Sequence, residues 1–549
     1  MLSLDTMSCS EATPAAKAVA CATFTNPVIW EDLPDMEVIR VGNVYYMSAS
    51  SFAFSPGAPV LQSHNLVDWA YVGHSVPELA FGERFSLDGH HCGSYGKGIW
   101  ASTMKYRKSD GLFYWYGPIQ GTEKTYIYTA KSPSDTWTCI SSIDKFYYDL
   151  GLFIDDDDTP YLAYGTKTIH VAKLSPDGCR EVESKPVYTS DEYLEGARMY
   201  KISGAYYIWL TRPFAGQYVL KSSSSPFGPY QSRRVIGEVL SPIPGSGFPH
   251  QGALVDTESG KWYYMAFIDG FPCGRVPVLA PVTFDDKGWP QVQVGVSKND
   301  AWWQLEYPNV IQGKDAEPRI NTCFRNHFFG GDKLEHCWEW NHNPDNSRWN
   351  IQKDGALLME TATVTDNLFL AANTLTHRTI GPASMATFFL DISGLQNGDR
   401  AGACIFRDKS AYIGIHKDFG VARLVNVHDI RVSPISTPVG WMNGHPVALD
   451  WSVDTQGTVE EEAAILQDKL WLRLKVDVRP AFSHGFEEEK RLATFEYSHD
   501  GKTFTQLGRA FVLTNEAVGY VGYRFAVFNY GTMSLGGRLL VKNCDILPL

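Results

Sequence analysis

Five times before residue 270 the chain repeats one short phrase: a turn pair, one further residue, then an aromatic that opens an apolar strand. The copies are Gly42-Asn43-Val44-Tyr45, Asp110-Gly111-Leu112-Phe113, Asp158-Thr159-Pro160-Tyr161, Ser203-Gly204-Ala205-Tyr206 and Ser259-Gly260-Lys261-Trp262. A recurring unit of about 40–50 residues with several strands in each is the mark of a β-propeller. Five copies predict five blades. In such a ring the strands converge on one axial funnel, so polar residues at blade starts can meet although they lie far apart in sequence.

At 549 residues the chain exceeds one ordinary domain. Strands and turns dominate from Thr25 to about residue 300, as in YYMSASSF, GLFYWYGPI, YYIWLTRPF and KWYYMAFID. Near 300 the composition shifts to Trp, Asn, His and Pro, and alternating runs such as ASMATFFLDIS and KLWLRLKVDV follow without the repeated phrase. These predict an antiparallel β-sandwich. The reading is an all-β chain: a tail over 1–24, a five-bladed propeller over 25–300, a linker over 301–325 and a β-sandwich over 326–549. Ser498-His499-Asp500-Gly501 predicts a hairpin turn.

A net charge of −13 argues against nucleic acid and against anionic membranes as partners. No apolar stretch is long enough to span a bilayer. The ten cysteines include no C-x-x-C pair, which disfavours a zinc site, and they permit disulfides or free buried thiols. The N-terminus lacks a basic start and an apolar core of the secretory kind. Aromatics make up 13% of the chain, which suits either strand packing or stacking on sugar faces.

Three carboxylates stand at blade starts: Asp35 in LPDMEV, Asp149 in YYDLGLF and Glu195 in YLEGAR. Each has an ordinary reading. Asp35 caps a turn, and Glu195 pairs with Arg198. Asp149 lies between aromatics and an apolar strand, where a buried charge is costly without hydrogen bonds or a task. Further candidates are Trp100 just before a strand, Phe52 at the end of the first inner strand, His250 in FPHQG and Arg275 after a Gly in PCGRVPVLAP, each of which could also be structural. The acidic run Asp155–Asp158 lacks the features of an EF-hand loop and reads as a solvated hairpin turn.

The ordered set NPVIWEDLPDMEVIRVGNVYYMSASS, PGAPVLQSHNLVDW, YGKGIWASTMKY, DLGLFIDDDDTPYLAYG, LEGARMYKISGAYYI, PHQGALVDTESGKWYYMAF and GRVPVLAPVTF resembles glycoside hydrolase family 43 across residues 25 to 295. The second domain resembles the C-terminal sandwich that many members carry. The resemblance implies Asp35 as general base, Glu195 as general acid, and Asp149 as the carboxylate that orients the acid and tunes it. It implies Phe52 and Trp100 as pocket walls, His250 near an axial ion or water, and Arg275 reaching toward the sugar. No cofactor is required, no catalytic metal is implied, and a structural calcium at the axis has a place. The sequence departs from the family where Glu-Gly-Pro-His becomes Glu195-Gly196-Ala197-Arg198 and where Asp-Pro-Ser becomes Asp149-Leu150-Gly151. The family inverts, so the carboxyls of Asp35 and Glu195 are expected roughly 6.5–9.5 Å apart.

The implied function is exo-acting hydrolysis of plant-wall pentosans, first an α-L-arabinofuranosidase on arabinoxylan or its oligosaccharides, with β-xylosidase as the close alternative, a β-1,3-galactosidase as a third, and, from a different class, a non-catalytic carbohydrate-binding propeller. Such a substrate implies an extracellular location. The sandwich is expected to pack on the propeller and to contribute a wall to the cleft.

Overall fold

The structure is a computed structural model that describes residues 23–87, 93–213, 215–298, 300–310, 333–434, 451–482 and 490–549, with backbone alone at 441–442 and 445–446. Five antiparallel sheets of four or five strands follow one another along the chain. Their innermost full strands are Glu37–Val41, Thr103–Arg107, Gly151–Ile154, Glu195–Ile202 and His250–Asp256. These five touch their neighbours in a closed circuit, the last returning to the first. The repeated phrase is the hairpin between the first and second strands of each blade. Its aromatic sits at or beside the start of the second strand, as Tyr45 does in Val44–Ser48 and Trp262 in Trp262–Asp269.

Ring closure joins the two ends of the propeller. Arg40 of blade 1 donates from Nη2 to Asp256 of blade 5 at 2.5 Å. Thr23–Thr25 pairs with Glu306–Pro308, and Phe24 stacks on Tyr307. This corrects two boundaries. Phe24 is buried at 3% exposure and belongs to a strand, whereas a tail was expected there. Ala301–Trp302 and Glu306–Pro308 are propeller strands, whereas a linker was expected. The physical reason is that a ring has to tie its ends together, and short strands outside the blades do so. The rest of the expected tail, and residues 311–325 of the expected linker, lie outside the described residues.

Two eight-stranded antiparallel sheets form the second domain. One runs from Trp451–Ala464 at one edge to Trp338–Asn341 near the other. Phe54–Ser55 from blade 1 then adds a final strand, with Trp340 opposite Ser55 and Asn341 opposite Phe54. The domains therefore share a sheet. Beside that junction Glu339 is fully buried and meets Arg378 at 3.0 Å, Arg524 at 2.6 Å and His74 of blade 1 at 3.2 Å. Burial alone would raise the Glu339 carboxyl, but the two guanidinium groups hold it well below the ordinary range. The turn at Ser498–Gly501 joins Leu492–Ser498 to Thr505–Gln506, and Asp500 accepts backbone hydrogen bonds from Lys502 and Thr503.

Among the described residues Cys139, Cys179, Cys273, Cys337, Cys404 and Cys544 are free thiols, the last four buried. No helix is long and apolar enough to cross a membrane.

Candidate active site

The residues just before or at the inner strands of blades 1, 3 and 4 bring Asp35, Asp149 and Glu195 to the axis. All are buried, with exposures of 6%, 6% and 5%. Two local devices aim them. Asp35 and Asp149 sit in the left-handed backbone region at φ 56° and 49°, a conformation uncommon outside glycine that collects at functional sites. Glu195 lies at a β-bulge: the strand register slips between Glu195 and Arg198, which turns the Gly196 N–H toward Asp149 Oδ2 at 3.2 Å.

Both oxygens of Asp35 are held: Arg275 Nη1 donates to Oδ1 at 2.7 Å and Ser50 Oγ to Oδ2 at 2.7 Å. Tyr148 donates from its hydroxyl to Glu195 Oε2 at 2.9 Å. Burial pushes the Asp149 carboxyl well above the ordinary carboxylate range, and the charges of Glu195 and Asp35 push it further. Arg198 and the Gly196 N–H oppose this only in part. Beside Glu195 and Asp35, a proton on Asp149 is therefore cheaper to keep than to lose.

Phe52 and Trp100 pack in one small, mostly aromatic cluster with Tyr148, Tyr520 and Val521. The last two belong to the sandwich. Trp100 meets Tyr520 edge-on at 6.1 Å between centroids. Arg275 lies 5.7 Å from the Phe52 ring, 5.1 Å from Phe267 and 5.8 Å from Tyr520, and donates to the Tyr520 carbonyl at 3.3 Å. His250 stands behind Arg275 against the same Phe267 ring, with Nε2 on Asp269 at 2.8 Å.

Arg198 departs from its simple sequence reading as a partner of Glu195. Its Nε faces Glu37 at 3.2 Å, and its other nitrogens donate to the carbonyls of Leu150, Asp35 and Ser102 at 2.5, 3.2 and 2.9 Å. One side chain from blade 4 thus pins blades 1, 2 and 3 around the site. Gly151 has a matching role: a Cβ there would lie 2.2 Å from the Ala197 carbonyl, so glycine permits the close approach of blades 3 and 4. The acidic run is also more than a solvated turn. Asp158 takes Arg107 from blade 2, and Asp155 takes Lys201 from blade 4 at 2.7 Å.

Sequence reasoning missed Ser50, Tyr148, Glu37 and Tyr520. Glu37 carried a signal, as an acid inside an apolar inner strand. Tyr520 carried none, because it reaches the site from another domain. Among the described residues no group of three or more His, Cys, Asp or Glu side chains is arranged to hold a metal ion.

A propeller whose axis gathers three buried carboxylates, one of them clamped by an arginine, beside a cluster of aromatic rings fits a glycoside hydrolase. The comparisons agree: residues 24–290 match the model for glycosyl hydrolases family 43, and residues 326–538 match the β-xylosidase C-terminal concanavalin A-like domain. The chain belongs to glycoside hydrolase family 43.

A solved structure described as an engineered GH43 glycoside hydrolase with both endo-xylanase and exo-arabinofuranosidase activity is 44% identical, with a TM-score of 0.88 over 96% of this chain and 100% of that one. A β-xylosidase of Formosa agariphila is 27% identical over 94% of this chain and 89% of its own length. A non-reducing end α-L-arabinofuranosidase of Bacteroides ovatus is 29% identical over 62% of this chain and 66% of its own length.

Proposed function

We propose that the protein is an inverting, exo-acting α-L-arabinofuranosidase that removes terminal arabinose from arabinoxylan. The observation that carries the chemistry is the meeting of three buried carboxylates beside Arg275, within walls supplied by both domains. Asp35, oriented by Arg275 and Ser50, takes a proton from the attacking water. Glu195 gives its proton to the leaving oxygen, and Asp149 beside it disfavours two negative charges and so keeps a proton on the pair. Water attacks the face opposite the leaving group, so the anomeric configuration inverts. Aromatic closure by Phe52, Trp100 and Tyr520 suits a single terminal sugar. No step in this scheme calls for a metal ion.

The arabinofuranosidase reading is supported by the exo-arabinofuranosidase activity named for the 44% identical structure and by the name of the Bacteroides relative. The second reading, β-xylosidase, is supported by the names of the Formosa protein and of a Xylanibacter ruminicola relative 31% identical over 68% of this chain. Rates on nitrophenyl α-L-arabinofuranoside and nitrophenyl β-D-xyloside, beside product analysis on arabinoxylan oligosaccharides, decide between them. Faster xyloside turnover with xylose release would overturn the first reading. Proton NMR of the first-formed anomer tests inversion.

A further inference from the structure

We propose that Tyr148 is a positioning residue for the general acid, reserving Glu195 Oε2 as the acceptor oxygen so that the catalytic proton resides on Oε1. This rests on the role given to Glu195 above. The Tyr148 ring joins the aromatic cluster, while its hydroxyl donates to Oε2 at 2.9 Å. The Gly165 N–H holds its carbonyl at 3.1 Å, which fixes the residue at the entry to blade 3.

A carboxylic acid has one oxygen that donates and one that accepts. An O–H aimed at Oε2 is compatible with a proton on Oε1 and opposes one on Oε2. The phenol serves this purpose over the whole working range because burial, Asp149 and Glu195 push its own ionisation well up. Once the proton has left, the same hydrogen bond stabilises the carboxylate that remains. The groups around the pair are Asp149, Asp35, Arg198, Arg275, Tyr193 and Tyr520, and none of these is removed by Tyr148→Phe.

The test compares full-length protein with Tyr148→Phe, Glu195→Gln and the double variant. A hydrogen bond to a charged group corresponds to about one pKa unit or more, and to about 10–100-fold in rate. Tyr148→Phe should lower kcat on arabinoxylan oligosaccharides by about 10–100-fold and on nitrophenyl arabinofuranoside by much less. It should move the basic limb of the oligosaccharide pH profile upward by about one unit. In the Glu195→Gln background it should cost nothing further. An unmoved basic limb, or a full additional loss in the double variant, would overturn the proposal even if Glu195→Gln alone behaves as a lost acid. If Glu195→Gln shows no dependence on the leaving group, the role of Glu195 itself falls, and this proposal with it.

Discussion

Asp149 ties the stability of the fold to pH. Its carboxyl is held well above the ordinary range, by burial first and then by Glu195 and Asp35. A carboxyl with a raised native value leaves stability intact below its unfolded value near 3.8 and lowers it as pH climbs from there toward the raised value. Asp149→Asn should therefore raise the melting temperature at pH 7 while changing it little at pH 3.5. An equal change at both pH values would show that the effect is packing. With asparagine at 149 the pair with Glu195 no longer has to carry two negative charges at high pH, so the basic limb of the activity profile should move to lower pH. At Asp35, direct donors occupy both oxygens. Dialysis against EDTA is expected to leave turnover unchanged, and a loss restored by calcium would assign the metal a part in the working site.

At the scale of elements, the blade-start turns and the shared sheet edge do most of the positioning. The repeated turn-plus-aromatic phrase made five blades legible, because each copy is the first hairpin of a blade and hairpin chemistry is local. The blade-start carboxylates were legible for a similar reason: an acid next to an apolar inner strand needs a partner or a task. Arg198 was read too narrowly, since its four contacts come from three other blades and local sequence carries no trace of them. The strand at Phe24 was missed because its partner lies near residue 307. The junction around Glu339 gives a test at this scale. Glu339→Ala leaves Arg378 and Arg524 buried without their carboxylate, a loss of about 3–5 kcal/mol, read as a lower midpoint in urea. Glu339 is held below its ordinary range, so the wild-type contribution is present at neutral pH and fades as pH falls through that depressed value. The gap between wild type and variant should narrow in acid.

For the whole molecule, the sandwich packs against the residues around the three carboxylates. Tyr520 and Val521 pack into the cluster of Phe52 and Trp100, the Gly522 N–H donates to Asp32 at 2.8 Å, and a Cβ on Gly522 would lie 1.8 Å from the Cys273 carbonyl. Phe54–Ser55 in turn completes a sandwich sheet. A fragment of residues 25–300 loses that sheet partner, Tyr520 and the strand that closes the ring. It should be insoluble or at least about 100-fold less active, and a soluble fragment with full activity would show the sandwich to be dispensable. The central claim is the division of labour between Asp35 and Glu195, and the leaving group tests it most directly. A nitrophenolate departs with little protonation, whereas a sugar alkoxide requires it. The measurement is kcat/KM for Glu195→Gln and Asp35→Asn on nitrophenyl arabinofuranoside and on an arabinoxylan oligosaccharide. Glu195→Gln should fall by about 10²–10⁴-fold on the oligosaccharide and by far less on the nitrophenyl substrate, with Asp35→Asn poor on both. Equal losses for Glu195→Gln on the two substrates, or normal turnover by Asp35→Asn, would contradict the account.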